Sequence, residues 1–198
     1  MIIIGLTGGI ASGKSAAVHF IEERNIPVID ADKLAREIVE IGSDTLKDII
    51  HVFGEGILNE DGSLNRKNLA DIVFRDAFKL KELNTITHRR IGILVKDKLS
   101  EYEKEGEKIV VIDAPLLIES GLSKLVDIIW VIDVDVKTQI ERVMERDSAT
   151  EEEAKSRIYS QLPREERVKW ADIVIYNNES LEELKKNIFK HLDNLGKI

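Results

Sequence analysis

Short runs rich in isoleucine and valine, separated by amphipathic stretches, recur along the whole chain. The runs lie at residues 2–6, 26–29, 109–112, 128–132 and 173–175. Short, nearly unbroken apolar runs are typical of strands that are buried on both faces of a parallel sheet. Stretches with apolar side chains at helical spacing lie at residues 16–24, 136–146 and 181–195. The alternation predicts an α/β fold with a doubly wound parallel sheet.

One long interval interrupts this alternation. Between the second and third predicted strands the chain has helical patterns at residues 43–53, 66–74 and 76–103, with a turn-like segment at residues 59–63. We expect a core formed by residues of about 1–35 and 105–198, with a helical substrate-binding insertion at about 36–104. The alternative is an ordinary crossover that happens to be long.

A second irregular region, at about residues 147–169, is dense in charged side chains. Its pattern predicts one or two exposed helices. Such a segment could act as a mobile lid over a site, or it could be a solvated face with no further role. We interpret it as a lid.

Charge and composition exclude several classes of function. The chain has 29 Lys and Arg residues against 37 Asp and Glu residues, a net charge of -8. Nucleic-acid binding is therefore not expected, since it needs a basic surface. The chain contains no cysteine, which excludes disulfides and thiolate metal sites. Its apolar runs are far shorter than the ~18 residues of a membrane span, and its first residues lack a basic leader. We expect a cytoplasmic monomer or small homo-oligomer.

The segment Gly-Gly-Ile-Ala-Ser-Gly-Lys-Ser at residues 8–15 matches the phosphate-binding pattern G-x-x-x-x-G-K-[ST]. It lies between a predicted strand and a predicted helix, where backbone N–H groups can surround a phosphate at the positive end of the helix. Lys14 is placed to reach the β- and γ-phosphates, and the Ser15 hydroxyl is placed to coordinate Mg²⁺. The predicted ATP-binding residues of this loop are Ala11, Ser12, Gly13, Lys14, Ser15 and Ala16.

The loop alone does not name the phosphate acceptor, because kinases, GTPases and motor ATPases share it. The chain has no Asn-Lys-x-Asp string of the kind that reads guanine. It is also small for a transport ATPase. The helical insertion and the charged segment favour a kinase of small metabolites.

Acidic residues follow two of the predicted strands. Asp30 and Asp32 come after the second strand, and ligands of open α/β sheets bind beyond such strand ends. Either carboxylate could accept a proton from an attacking hydroxyl, or could only cap a helix predicted at residues 33–41. Asp113 closes the third strand and could support Mg²⁺ through water, or could only form a turn before Pro115.

Arginines form the other candidate group. Arg142 and Arg146 lie four residues apart on one predicted helix, where paired guanidinium groups could clamp ATP phosphates. Without the phosphate loop they would be interpreted as surface partners of neighbouring glutamates. Arg66 has no independent case from its sequence context, and the four histidines show no metal-ligand spacing.

The sequence also resembles the dephospho-CoA kinase family over nearly its whole length. Residues 5–15, Gly-Leu-Thr-Gly-Gly-Ile-Ala-Ser-Gly-Lys-Ser, carry the resemblance. It continues at residues 28–32, 35–37, 53–54, 61–66, 72–74, 115–119, 139–143, 146–147, 161, 165–167, 171–172 and 177–178. It implies transfer of the ATP γ-phosphate to the ribose 3′-hydroxyl of dephospho-CoA, the last step of coenzyme A synthesis. It also implies a sheet with an inserted helical domain for the substrate and a lid.

The resemblance implies roles for several residues. Asp32 would be the catalytic base, Arg66 would face the substrate, and Arg142 would bind phosphate. His88, in the His-Arg-Arg segment of the insertion, is a candidate for substrate binding, although a solvated helix face is an equal alternative. Two positions depart from the family pattern: Arg89 stands where proline is common, so the local helix could continue, and Ala16 stands where threonine is frequent. Two rival interpretations remain: a nucleoside or nucleoside-monophosphate kinase, and a switch or regulatory ATPase that uses the phosphate loop and binds a partner protein.

Overall fold

The computed structural model describes residues 1–196 and confirms the predicted α/β architecture. Five parallel strands form one sheet in the order β2-β3-β1-β4-β5. The first strand in the sequence therefore lies at the centre of the sheet. The strands are β1 (Ile2–Gly8), β2 (Val28–Asp30), β3 (Ile109–Asp113), β4 (Ile128–Asp133) and β5 (Ile173–Tyr176).

Branched apolar side chains bury the centre of this sheet on both faces. Ile4, Leu6 and Trp130 are fully buried, and a cluster of helix side chains packs against them. In the parallel register, Leu6 lies opposite Asp113 on one side and Trp130 on the other. This register places Asp113, at the end of β3, beside the last residues of β1. It therefore determines which polar side chains flank the loop that follows β1.

Among the described residues, five α-helices belong to the unit that contains the sheet, which comprises Met1–Ile29 and the chain from Glu105 onward. In the region rich in charge, the Thr150 side chain and Glu153 form a reciprocal cap that starts one of these helices, and a second short helix follows. The charged segment is therefore helical, as predicted. With α-helices numbered along the whole chain, the five of this unit are α1 (Lys14–Glu22), α6 (Val136–Asp147), α7 (Glu151–Tyr159), α8 (Arg164–Lys169) and α9 (Leu181–Leu195).

The second compact unit comprises Asp30–Lys104 and is built from helices. Ser43 and Asn65 cap two of them by accepting hydrogen bonds from backbone N–H groups three residues later. Its role as a substrate-binding insertion stays a prediction. The helices are α2 (Ala31–Glu37), α3 (Asp44–Phe53), α4 (Arg66–Val73) and the long α5 (Ala77–Glu105).

The structure corrects one predicted helix and clarifies another. The helix expected at residues 33–41 begins earlier, at Ala31, because the Asp30 carboxylate accepts a hydrogen bond from Lys33 N–H. It also ends earlier, at Glu37. α5 continues without a break through Arg89, where the family pattern often has proline. Within residues 1–196, none of the helices combines the length and the apolar character that crossing a membrane requires.

Candidate active site

The loop after β1 has the shape that its glycines were predicted to permit. Ser12 N–H donates to the Gly9 carbonyl at 3.1 Å, which closes a tight turn. Gly13 has φ 94°, and a Cβ there would overlap the side-chain amide of Asn177. A Cβ on Gly8 would lie 2.5 Å from Ser12 Oγ and 2.7 Å from the Ile132 carbonyl oxygen. Both motif glycines are therefore required by space, and Gly13 also by its backbone conformation.

Lys14 and Asp113 meet beside this loop. Lys14 is the first residue of α1, and its Nζ lies 2.5 Å from Asp113 Oδ1 at the end of β3. Only 15% of the lysine side chain and 13% of the aspartate side chain are exposed. Water is largely excluded from the pair, so its attraction is stronger than that of a surface ion pair. The two predicted residues, taken from segments 99 positions apart, thus form one site.

Two of the predicted residues carry oxygen ligands of the kind that Mg²⁺ prefers. Ser15 follows Lys14 in the first turn of α1 and its side chain is exposed, while Asp113 supplies a carboxylate. Across the part of the chain that is described, no group of three or more histidine, cysteine or acidic side chains could hold a metal ion by itself. This donor set fits a hard cation that takes its remaining ligands from phosphate oxygens and water.

Side chains from three other segments surround the loop. Asn177, which is 3% exposed, donates from Nδ2 to the Ser12 carbonyl at 2.8 Å. Gln139 and Gln161 each bond to the backbone of Ile10. The Arg167 guanidinium lies beside Gly9, where a Cβ would be 2.8 Å from its NH1. The loop is thus held from outside as well as by its own turn.

Burial lowers the pKa of Arg167, and the charges of Glu119 and Asp133 oppose this effect. With its pKa normally far above neutrality, the guanidinium remains charged in its buried place. Its NH2 donates to the Leu162 carbonyl at 2.6 Å. The sequence assigned no role to Arg167, nor to Gln139, Gln161 or Asn177, because hydrophobic periodicity carries no signal for polar contacts between distant segments.

Arg142 and Arg146 share a helix but differ in environment. Arg142 is half-buried, and its NH2 donates to the Asn177 carbonyl at 3.0 Å. Arg146 is exposed and bonds through Nε and NH2 to Asp147, at 2.8 and 3.0 Å. The Asn177 contact connects Arg142 to the phosphate loop, whereas Arg146 belongs to a surface pair. Helical spacing alone could not distinguish the two.

A further arginine, which the sequence did not single out, anchors the second half of the charged segment. Arg164, the first residue of α8, binds the Asp133 carboxylate with Nε and NH2 at 2.5–3.0 Å. The Asp133 side chain is only 4% exposed. Such a bidentate pair fixes α8 against the end of β4.

The remaining candidates belong to the helical unit and are described within it. Asp30 caps α2, with Oδ1 2.9 Å from Lys33 N, whereas Asp32 is the second residue of that helix and its side chain is exposed. Arg66 is the exposed first residue of α4. His88 is half-buried in α5, and burial lowers its pKa, so the imidazole is neutral at pH 7. His88 can therefore offer a substrate a hydrogen bond but not a positive charge.

Comparisons with known proteins extend over almost the whole chain. A family model described as dephospho-CoA kinase matches residues 2–183. A dephospho-CoA kinase of Shouchella clausii is 46% identical over 189 residues, which cover 96% of each chain.

Two solved structures have the same fold over nearly the full length. A protein from Thermus thermophilus superposes with a TM-score of 0.83 at 32% identity, covering 98% of this chain and 97% of the other. A dephospho-CoA kinase from Campylobacter jejuni superposes with a TM-score of 0.74 at 29% identity and the same coverage. The family match, the near-complete coverage and the phosphate loop agree, and the chain belongs to the dephospho-CoA kinase family.

Proposed function

We propose that the protein transfers the γ-phosphate of ATP to the ribose 3′-hydroxyl of dephospho-CoA and so completes coenzyme A. The observation that carries this proposal is the family match over residues 2–183. The phosphate loop supports the ATP side of the reaction independently, because its turn, its glycines and its lysine fit a nucleotide phosphate.

On the ATP side, the loop N–H groups and Lys14 bind the β- and γ-phosphates. The Lys14–Asp113 contact holds the ammonium group beside the loop before nucleotide arrives, so little reorganisation is needed when phosphate enters. Ser15 and Asp113 hold Mg²⁺, Asp113 through a water molecule. When bound, Mg²⁺ neutralises charge on the phosphate oxygens of ATP. Arg142 also binds phosphate.

On the acceptor side, Asp32 is the proposed base. It takes the proton of the 3′-hydroxyl as the ribose oxygen bonds to the γ-phosphorus, and the bond from that phosphorus to the β–γ bridging oxygen breaks to release ADP. Asp32 suits this role because its carboxylate is exposed, whereas Asp30 is already engaged as a helix cap. Arg66 and His88 bind the substrate, with Arg66 supplying positive charge and His88 a hydrogen bond.

We further propose that the enzyme works in the cytoplasm as a monomer or small homo-oligomer and that residues 147–169 act as a lid. The Arg164–Asp133 contact divides this segment. Because α8 is anchored to the sheet, the moving part is α7. Its Arg157 bonds to Asp147 at the end of α6, which is the first residue of the same segment. Only the α7 half is then free to close over nucleotide.

The test is a panel of acceptors under one set of conditions. ADP release is followed with Mg-ATP and, separately, dephospho-CoA, AMP, UMP, adenosine and pantothenate. The proposal predicts efficient release with dephospho-CoA alone. Faster turnover of AMP or UMP would make the protein a nucleotide kinase, and ADP release that needs no acceptor would make it a regulatory ATPase.

A further inference from the structure

We propose that Gln139 and Gln161 are positioning residues that hold the phosphate loop in its nucleotide-binding shape by gripping Ile10 from two sides. They are the two glutamines of the chain. This inference rests on the proposed use of ATP. In it, two side chains outside the motif determine how the motif's peptide groups are oriented.

Both hydrogen bonds are short, and Ile10 is the donor in one and the acceptor in the other. Gln161 Oε1 accepts from Ile10 N–H at 2.8 Å, and Gln139 Nε2 donates to the Ile10 carbonyl at 2.7 Å. Gln139 is 5% exposed, and its Nε2 would lie 2.7 Å from a Cβ on Gly9. Both polar groups of Ile10 are therefore bonded to side chains rather than to the loop itself.

These two bonds fix the direction of two peptide planes. Peptide groups are planar and trans, so the N–H of one residue points opposite to the carbonyl before it. With Ile10 N–H held by Gln161, the Gly9 carbonyl faces the other way, and it accepts from Ser12 N–H. With the Ile10 carbonyl held by Gln139, Ala11 N–H points away from Gln139. This clamp, formed by the bonds of Gln139 and Gln161 to Ile10, thus orients an N–H of the predicted ATP-binding loop.

The clamp also supports an unfavourable backbone conformation. Ala11 has φ 56°, in the left-handed region that side chains other than glycine rarely adopt. Such a residue persists only where its surroundings hold it, and residues of this kind cluster at binding sites. The peptide groups that Gln139 and Gln161 hold come directly before Ala11, so the two bonds constrain the turn that carries this strain.

The two glutamines come from different parts of the chain and have different tasks. Gln139 lies in α6, whereas Gln161 lies between α7 and α8, inside the segment predicted as a lid. One contact requires a donor and the other an acceptor, so a glutamate at position 161 keeps its contact and a glutamate at position 139 loses it. The added negative charge is the same in both variants. Gln139→Glu and Gln161→Glu are therefore a matched pair.

The experiment measures the Kd of Mg-ADP and the KM values of ATP and dephospho-CoA in five variants. These are Gln139→Met, Gln161→Met, Gln139→Glu, Gln161→Glu and, as a control on the exposed surface of α9, Asn194→Ala. Each lost hydrogen bond is expected to raise the Kd of Mg-ADP by about three- to tenfold. We expect both Met variants to show this rise, Gln139→Glu to bind more weakly than Gln161→Glu, and the KM of dephospho-CoA to stay within about twofold.

The proposal is overturned if the Met variants bind Mg-ADP like the wild type, or if the two Glu variants bind it equally. It is also overturned if the KM values of both substrates rise together, because general damage to the fold would do that. Gln161 is only partly buried, so its variants remain available if the buried Gln139 variants fail to fold. Binding of Mg-ADP needs no acceptor. Wild-type inactivity toward dephospho-CoA would therefore refute the proposed function and leave this comparison intact.

Discussion

Replacement of Asp32 by asparagine is expected to slow phosphoryl transfer strongly while leaving the stability of the protein almost unchanged. Asparagine keeps the shape of the side chain but cannot accept a proton, and loss of a general base slows a reaction by about 10²–10⁴-fold. The Asp32 side chain is exposed, so the folded state loses only its interaction with the N-terminus of α2. That interaction contributes about 0.3–1 kcal/mol.

Asp30 provides the matched control because it lies two residues away and has a structural task. Asp30→Asn keeps the cap of α2, since asparagine and aspartate cap helices about equally well. Asp30→Ala removes the acceptor for Lys33 N–H and should cost about 1 kcal/mol. In a chain of this size, that cost lowers the midpoint of thermal unfolding by about 2–4 °C.

The two properties are measured on the same preparations. ADP release at saturating ATP and dephospho-CoA gives kcat, and thermal unfolding gives the midpoint temperature. We expect Asp32→Asn to lose kcat, with a fall in the midpoint temperature no larger than that of Asp30→Ala. We expect Asp30→Ala to lose stability while kcat stays within a few-fold of the wild type. If Asp30→Asn is nearly inactive and Asp32→Asn nearly normal, the base is Asp30 and the assignment is wrong.

Three further predictions concern other residues of the site. Lys14→Ala should lower kcat by ~100-fold or more, because about 3 kcal/mol of transition-state stabilisation is lost; turnover within a few-fold of the wild type would refute the role of the loop. Arg142→Ala should raise the KM of ATP or lower kcat by about tenfold or more. Arg146→Ala loses only its exposed pair with Asp147 and should change these values by less than about fivefold. Equal small effects in the two variants would show that neither arginine binds ATP. His88 should make the protein less stable as the pH falls below its ordinary pKa of 6.5, because burial lowers its folded pKa and the unfolded chain takes up the proton first. Urea unfolding at pH 5 and 7 checks this, and an unchanged pH dependence in His88→Gln would contradict it.

The strands and the phosphate loop could be predicted from the sequence because the signals for these elements are local. Each strand is a short branched apolar run, and the phosphate loop is a contiguous motif whose glycines match the space available at positions 8 and 13. The start of α2 was less certain, since Asp30 and Asp32 are both good caps. Only the observed bond to Lys33 N–H distinguishes them.

The support around the loop could not be predicted in the same way. Gln139, Gln161 and Asn177 approach the loop from positions more than 120 residues away, and their contacts depend on tertiary packing rather than periodicity. The same holds for Arg142 and Arg146, which helical spacing made equivalent. Their difference arises from what lies beside each guanidinium: the Asn177 carbonyl for Arg142 and the neighbouring Asp147 carboxylate for Arg146.

The most direct test of the account is the structure of the product. The protein is incubated with Mg-ATP and dephospho-CoA, and the purified product is examined by mass spectrometry and phosphorus NMR. We expect a mass increase of one phosphate, carried on the ribose 3′-oxygen, with one ADP formed for each product molecule. Phosphate at any other position, or ADP formed without a phosphorylated acceptor, would contradict it.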